Sequence, residues 1–298
     1  MKGPILVTGS AGMLGRALGL RLAGAGVGLR GLDRVGMGSC RGDVRDPEAV
    51  ARAMAGCRGV VHLAAVSRVG WGERDPAECL ATNVEGTRCV VREALRSPER
   101  PWVLLASSRE VYGRPGSLPV SEDAPRAPCN VYGRSKCDAE DVMDWGRGQG
   151  LATATLRLAS VYGGAGDHGD RVVAALARGA GRGERLRVAG GGRVFDFTHV
   201  DDVIAGLWAA MERLTAGAGV LPVVHLVSGQ GTTLGQLAEM ALAAAGRAGE
   251  AVTETAAEAY EVDRFVGDPT RAREVLGWSA RVALAEGVGR MVRGYAGA

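Results

Sequence analysis

No run in the 298 residues is apolar enough, for long enough, to cross a bilayer. The opening MKGPILVTGS also lacks the apolar core and cleavage site of a secretory signal. Both absences exclude a membrane protein and lead us to expect a cytoplasmic one. The six cysteines (Cys40, Cys57, Cys79, Cys89, Cys129 and Cys137) contain no C-x-x-C pair. In a chain of this length they read as reduced thiols filling the core, and no metal site is expected. Charge of one sign never accumulates: 36 basic and 33 acidic residues are spread evenly, for a net +3. Neither a nucleic-acid tail nor a membrane-binding patch is therefore expected. Internal repeats and a clean linker are missing as well.

Glycine and apolar residues are plentiful. The 46% hydrophobic content is enough for a sizeable core, as one large α/β domain or as a large domain with a small appendage. The 47 glycines follow no short period, which fits many tight strand-to-helix turns. Short apolar runs at 5–8, 28–32, 60–63, 102–106 and 153–158 are expected as strands buried on both faces of a parallel sheet. Helical periods at 12–23, 47–54, 83–96 and 131–148 alternate with them. This alternation predicts a doubly wound sheet with right-handed crossovers. The second half is less regular. Helices are expected at 171–180, 200–214, 233–245 and 269–276, and strands at 185–189 and in the VFDFTHV segment. A second unit must therefore leave and re-enter the sheet. We expect a Rossmann domain from 1–160 plus 193–228 and a small substrate-binding lobe from 161–192 plus 229–298.

The first strand ends in Gly9-Ser10-Ala11-Gly12-Met13-Leu14-Gly15. Small residues at this spacing let the chain turn sharply, approach a pyrophosphate and start a helix packed on the strand. The helix N-terminus then offers free N–H groups to the phosphates. The second strand ends at Asp33, at the distance where a carboxylate meets an adenosine ribose and repels a 2′-phosphate, which favours NAD. Arg34 is a second candidate contact. Its guanidinium would bind a 2′-phosphate, while the plainer reading is a solvated side chain.

Tyr132 and Lys136, four residues apart, share one face of a helix. The cation is expected to lower the phenol's pKa and fit it for proton exchange near neutral pH.

In combination these stretches resemble the extended short-chain dehydrogenase/reductase family, the NAD-dependent epimerases and dehydratases that include UDP-galactose 4-epimerase. The matching segments follow in order. They are the glycine turn, Asp33, Gly42-Asp43-Val44-Arg45-Asp46, His62-Leu63-Ala64-Ala65 and Asn83-Val84-Glu85-Gly86-Thr87. The later ones are Ser107-Ser108-Arg109-Glu110-Val111-Tyr112-Gly113, Tyr132 to Lys136, Arg157 to Gly163, Phe195 to Asp202 and Asp268 to Trp278. The resemblance implies that Asp43 and Val44 hold the adenine and that Leu63, Ala64 and Ala65 line the cofactor. It implies that Asn83 supports the active-site helix beside the cofactor. Ser108 would bond the reacting hydroxyl, Tyr132 would be the general acid/base and Lys136 would hold the nicotinamide ribose. His62 and Tyr112 are expected to pack.

Three positions depart from the family's pattern. Phe195 stands where many relatives place an arginine that grips the substrate diphosphate, so either Arg193, two residues earlier on the same strand face, replaces it or the substrate carries no diphosphate. Ser160 stands where an asparagine is usual. Arg109-Glu110 replaces the Asp-Glu pair of 4,6-dehydratases, keeping the base and losing the acid. Further substrate candidates are Ser67 and Arg68, in a stretch running to Trp71, and His168 and Arg171, in a polar loop where Asp170 alternatively caps the next helix. The expected activity is a nucleotide-sugar epimerase. Its alternatives are a dehydratase using Glu110, a net dehydrogenase/reductase of the same family, and a silent NAD sensor. A homodimer is expected through the helices at 83–96 and 131–148.

Overall fold

A computed structural model describes residues 3–35, 41–164, 166–256 and 262–296. Cys40 lies outside them. In chain order the first half comprises β1 (Ile5–Thr8), α1 (Met13–Gly24), β2 (Leu29–Leu32), α2 (Pro47–Met54), β3 (Gly59–His62), α3 (Val69–Arg74), α4 (Pro76–Leu80), α5 (Gly86–Arg96), β4 (Trp102–Ser108), α6 (Val131–Gly148) and β5 (Thr153–Leu158). The second half comprises β6 (Ser160–Tyr162), α7 (Val172–Gly181), β7 (Arg187–Ala189), β8 (Val194–His199), α8 (Val200–Thr215), β9 (Val224–Leu226), β10 (Gly231–Thr233), α9 (Leu234–Ala244), β11 (Thr253–Thr255), β12 (Arg264–Phe265), α10 (Thr270–Leu276) and α11 (Leu284–Ala296).

Six strands form one sheet in the order β2-β1-β3-β4-β5-β9, with every pair parallel. The expected doubly wound sheet is present. Alternate strand residues feed opposite faces. Ile5, Val7, Val61 and Leu104 pack with Leu18 and Leu22 of α1 and with Val203 and Leu207 of α8. Leu6, Val60, Val103 and Leu105 pack with α2, α5 and α6. Each fully buried Leu or Val contributes roughly 1.5–3 kcal/mol by leaving water. From β1 the chain goes to β2 on one side and returns to β3 on the other. A crevice therefore opens over the carboxyl ends of β1 and β3, where such sheets bind ligands.

The smaller sheet is centred on β8. It pairs in parallel with β6 and β12 and antiparallel with β10. α7, α9 and α11 cover it through Val173, Leu176, Leu237, Val288 and Val292, around Phe195 and Phe197. Two buried carboxylates join this part to the large sheet. Asp196 accepts from the backbone N–H groups of Ser228 and Gly229, and Asp202 from those of Arg281 and Val282. No helix among the described residues is long and apolar enough to cross a membrane.

Several boundaries differ from expectation. Gly12 is the N-cap of α1 rather than its first residue, and β4 runs two residues further, to Ser108. Asn83 lies in a π-helical turn (Ala81–Glu85), with the α-helix starting at Gly86. The N-cap of α7 is Arg171, so Asp170 does not cap it. Strands β6, β9, β10, β11 and β12, of two or three residues each, were not foreseen. Such segments are too short to show a period. The sequence reading also missed α3, α4 and α11.

Candidate active site

The carboxyl ends of β1, β3, β4 and β5, together with the loop before α7, surround a cleft of about 990 Å³. It is lined by Gly9, Gly12, Met13, Leu14, Gly15, Asp33, Arg34, Asp43, Val44, Leu63, Ala64, Ala65, Ser67, Arg68, Ser108, Glu110, Tyr132, Lys136, Ser160, His168, Arg171 and Arg193. Of the residues assigned from the sequence to catalysis, cofactor or substrate, only Asn83 is absent from the lining.

At the cofactor end, Gly9 has φ +69°, and a Cβ there would stand 2.7 Å from the Ala64 nitrogen. A Cβ on Gly15 would stand 2.3 Å from the Gly9 carbonyl oxygen. Only glycine fits at either position. The Gly12 cap brings no side-chain acceptor, and the first turn of α1 carries no acid. The amides opening this helix thus face the cleft with their partial positive charge uncompensated, as a pyrophosphate requires. The Asp33 carboxylate is oriented by the N–H groups of Ala11 and Val35, at 2.9 and 3.0 Å. This cradle fits a dinucleotide.

Arg34 lies at the rim of the cleft, paired through one nitrogen and largely exposed. Its Nη1 lies 2.7 Å from Glu78 Oε1, while Arg45 holds Glu78 Oε2 at 2.8 Å and chelates Asp43. The Arg45 hydrogen bonds hold the Asp43 carboxyl below its ordinary range. Asn83 is buried behind the wall. Its Oδ1 accepts from the Val66 amide at 2.8 Å, and its Nδ2 donates to Ser135 Oγ at 2.8 Å. It braces α6 against the strand-end loop and makes no contact with the cleft. His62 bridges Thr8 Oγ1 (2.6 Å) and Thr87 Oγ1 (3.0 Å), and burial lowers its pKa to about 3. It ties β3 to β1 and α5.

Asn130 caps α6, its Oδ1 accepting from the Gly133 amide at 2.7 Å. That helix presents Tyr132 and Lys136 to the end of β4, where Ser108 lies. Lys136 Nζ donates to the Ala106 carbonyl at 3.0 Å and sits 5.8 Å from the Tyr132 ring centre. Burial lowers the lysine to about 8. Burial also raises Tyr132 to about 12, against the opposing effect of its hydrogen bond with Ser108. The phenol thus lies above its ordinary value rather than being lowered by Lys136 as expected: the groups that lower it are Ser108 and Arg171, and desolvation exceeds both.

Glu110 is buried with both carboxylate oxygens engaged, Oε1 by Arg109 Nη2 at 2.9 Å and Oε2 by Asn130 Nδ2 at 2.8 Å. On the far wall Arg68 pairs with Asp170, Trp71 meets His168 edge-on at 5.0 Å, and Arg171 donates to the Val161 carbonyl at 3.2 Å. Arg193 lies 5.2 Å from the Phe195 ring centre.

The sequence reading missed a buried polar network behind β4. Glu140, one turn beyond Lys136, is chelated by Arg157, which also donates to Tyr112 Oη at 2.6 Å, and Tyr112 Oη meets His225 Nε2 at 2.6 Å. Tyr112 is thus a network member as well as a packing residue. Its only linear signal was the Glu140 position, one helical turn after the lysine.

Comparisons with known proteins agree with this geometry. The NAD dependent epimerase/dehydratase family matches over residues 5–221. A UDP-glucose 4-epimerase of Mycolicibacterium smegmatis is 31% identical, covering 96% of both chains. A dTDP-glucose 4,6-dehydratase of Streptomyces antibioticus is 30% identical over 86% of this chain and 75% of its own. The UDP-glucose 4-epimerase of Thermotoga maritima, solved with UDP-glucose, superposes with a TM-score of 0.89 at 28% identity, covering 98% of each chain.

Proposed function

The chain belongs to the NAD dependent epimerase/dehydratase family, and from that premise we propose that it inverts one carbon of a nucleotide-linked sugar. NAD, when bound, supplies a hydride acceptor that also gives the hydride back. The glycine turn and the amides opening α1 would hold its pyrophosphate, Asp33 its adenosine ribose, Asp43 and Val44 the adenine, and Lys136 the nicotinamide ribose. Ser108 orients the sugar hydroxyl and Tyr132 exchanges its proton. Tyr132 takes the proton as the carbon-bound hydride departs and returns it when the resulting ketone is reduced on its other face. The segments 161–192 and 229–298 would bind the sugar nucleotide, with Arg68, Arg171 and Arg193 as its cationic contacts, and with Ser67, Ser160 and His168 beside them.

The observation that carries epimerisation over dehydration is the closure of Glu110. A base that removes a carbon-bound proton is weakened by each hydrogen bond that its carboxylate accepts, and both Glu110 oxygens already accept one, the first from the arginine that stands in place of the 4,6-dehydratases' acid. Dehydration remains the second reading, on the retained glutamate and the Streptomyces antibioticus relative. Incubation with a panel of nucleotide sugars, followed by mass and NMR, tests the choice. Unchanged mass with an inverted centre supports epimerisation, loss of water supports dehydration, and net change in NAD supports an oxidoreductase.

We also propose a cytoplasmic homodimer. The support is a groove between α5 and α6, where Val84, Val142 and the half-exposed Trp145 lie among Arg88, Arg92, Asp138 and Asp141, and the thiols of Cys79, Cys89 and Cys137.

A further inference from the structure

Arg109 stands directly after Ser108 and lines the same cleft. Its guanidinium is held on three sides: Nη2 lies 2.9 Å from Glu110 Oε1, and the central carbon lies 4.6 Å from the Phe195 ring centre and 5.8 Å from that of Phe265. Asn130 fixes Glu110 in turn. The side chain is 15% exposed. Its other terminal nitrogen, Nη1, is buried and has no hydrogen-bond partner among the described residues.

A buried guanidinium N–H without an acceptor costs on the order of 1–3 kcal/mol, and such groups are rare unless something else satisfies them. The Glu110 carboxylate and the Phe195 ring hold the guanidinium at the cleft wall, where a small side-chain adjustment on binding would bring Nη1 to a ligand oxygen. The charge balance indicates which kind. Glu110 already neutralises Arg109, so the pair offers a hydrogen-bond donor without a net positive charge. That matches a neutral hydroxyl better than another anion, which would meet the Glu110 carboxylate at close range. Adjacency to Ser108 puts the donor beside the reacting carbon rather than at the glycine turn.

We propose that Arg109 determines substrate specificity: its Nη1 donates to a sugar hydroxyl other than the one on which Tyr132 and Ser108 act, so that sugars lacking it are rejected. This rests on the nucleotide-sugar reading above. A site built to bond a hydroxyl discriminates strongly against the analogue without it, because its own polar group is then stranded.

The test compares wild type, Arg109→Lys and Arg109→Met, each with NAD, on UDP-glucose and on its 2-, 3- and 6-deoxy analogues, with UDP alone titrated in parallel. Arg109→Lys keeps a cation for Glu110 and serves if the methionine variant misfolds, and NAD titration checks folding of both. Wild type is expected to prefer UDP-glucose over one deoxy analogue by at least about a hundredfold in kcat/KM. Both variants should reduce that preference below about tenfold while changing UDP affinity less than about threefold. Retained discrimination overturns the proposal. Parallel loss of UDP affinity also overturns it, since the contact would then lie on the diphosphate. If wild type neither binds nor converts any nucleotide sugar, the functional reading itself fails; conversion with unaltered selectivity in the variants removes this inference alone.

Discussion

Tyr132 and Glu110 lie close together, yet their replacement should have different consequences. Tyr132→Phe removes the proton-transfer group, and turnover is expected to fall at least about a hundredfold with little change in NAD affinity. Glu110→Gln keeps size and hydrogen bonding. Under epimerisation it should cost less than about tenfold, and no solvent deuterium should enter a product carbon. A near-inactive Glu110→Gln with carbon-bound deuterium would establish the dehydratase instead. Lys136 illustrates a different trade. Burial depresses its pKa from 10.5 to about 8, so the unfolded chain holds the proton more tightly than the folded one. The burial penalty applies in full below pH 8 and fades as pH rises towards 10.5. Lys136→Met should therefore stabilise the fold by ~3 kcal/mol at pH 7, with a gain that shrinks above pH 8, while losing activity; urea melts across pH measure it. At the cofactor rim, Glu78→Gln releases Arg34 and Arg45. Wild type is expected to bind NAD more tightly than NADP, and the variant to narrow the gap, most at low salt. Calorimetric titration decides, and equal NADP binding by wild type would contradict the Asp33 assignment. Tyr132, Lys136 and Asp33 stood out by linear spacing and Ser108 by the family resemblance, and all four line the cleft. Arg109 was not legible, because its orientation depends on Phe195 and Phe265, far away in sequence.

Among the elements, the turn between β1 and α1 has the least room for change. Gly15→Ala would drive a Cβ into the Gly9 carbonyl and Ser10 Cα, at 2.3 and 2.7 Å. The expected outcome is loss of NAD binding together with destabilisation of about 1–3 kcal/mol, read by titration and thermal melting. Wild-type affinity in this variant would refute the cradle. The large sheet was legible because its strands carry continuous apolar runs, such as 102–106 within Trp102–Ser108, buried on both faces. The sheet around β8 was not, since its partners are two or three residues long and are paired by distant contacts such as Phe195 with Phe265. Helix α11 escaped notice although its buried positions Val288 and Val292 lie one turn apart. Glycines at 287, 289 and 294 dilute its apolar stripe.

For the whole molecule, light scattering at micromolar concentration should give the mass of two chains, and Trp145→Glu should halve it if α5 and α6 form the interface. A monomeric wild type would refute that assembly. The chain also carries nearly all its positive charge on arginine: lysine occurs only at positions 2 and 136. Amine-selective chemistry therefore has almost no background here. The Lys136 amine is buried in the cleft, where the proposed function puts the nicotinamide ribose, and its pKa near 8 leaves a share of it unprotonated in place under mild conditions. Reductive methylation with carbon-13 formaldehyde would leave a resonance spectrum of a few lines. One of them should appear only when the cofactor has left, making this side chain a built-in clock for how long the dinucleotide stays between turnovers.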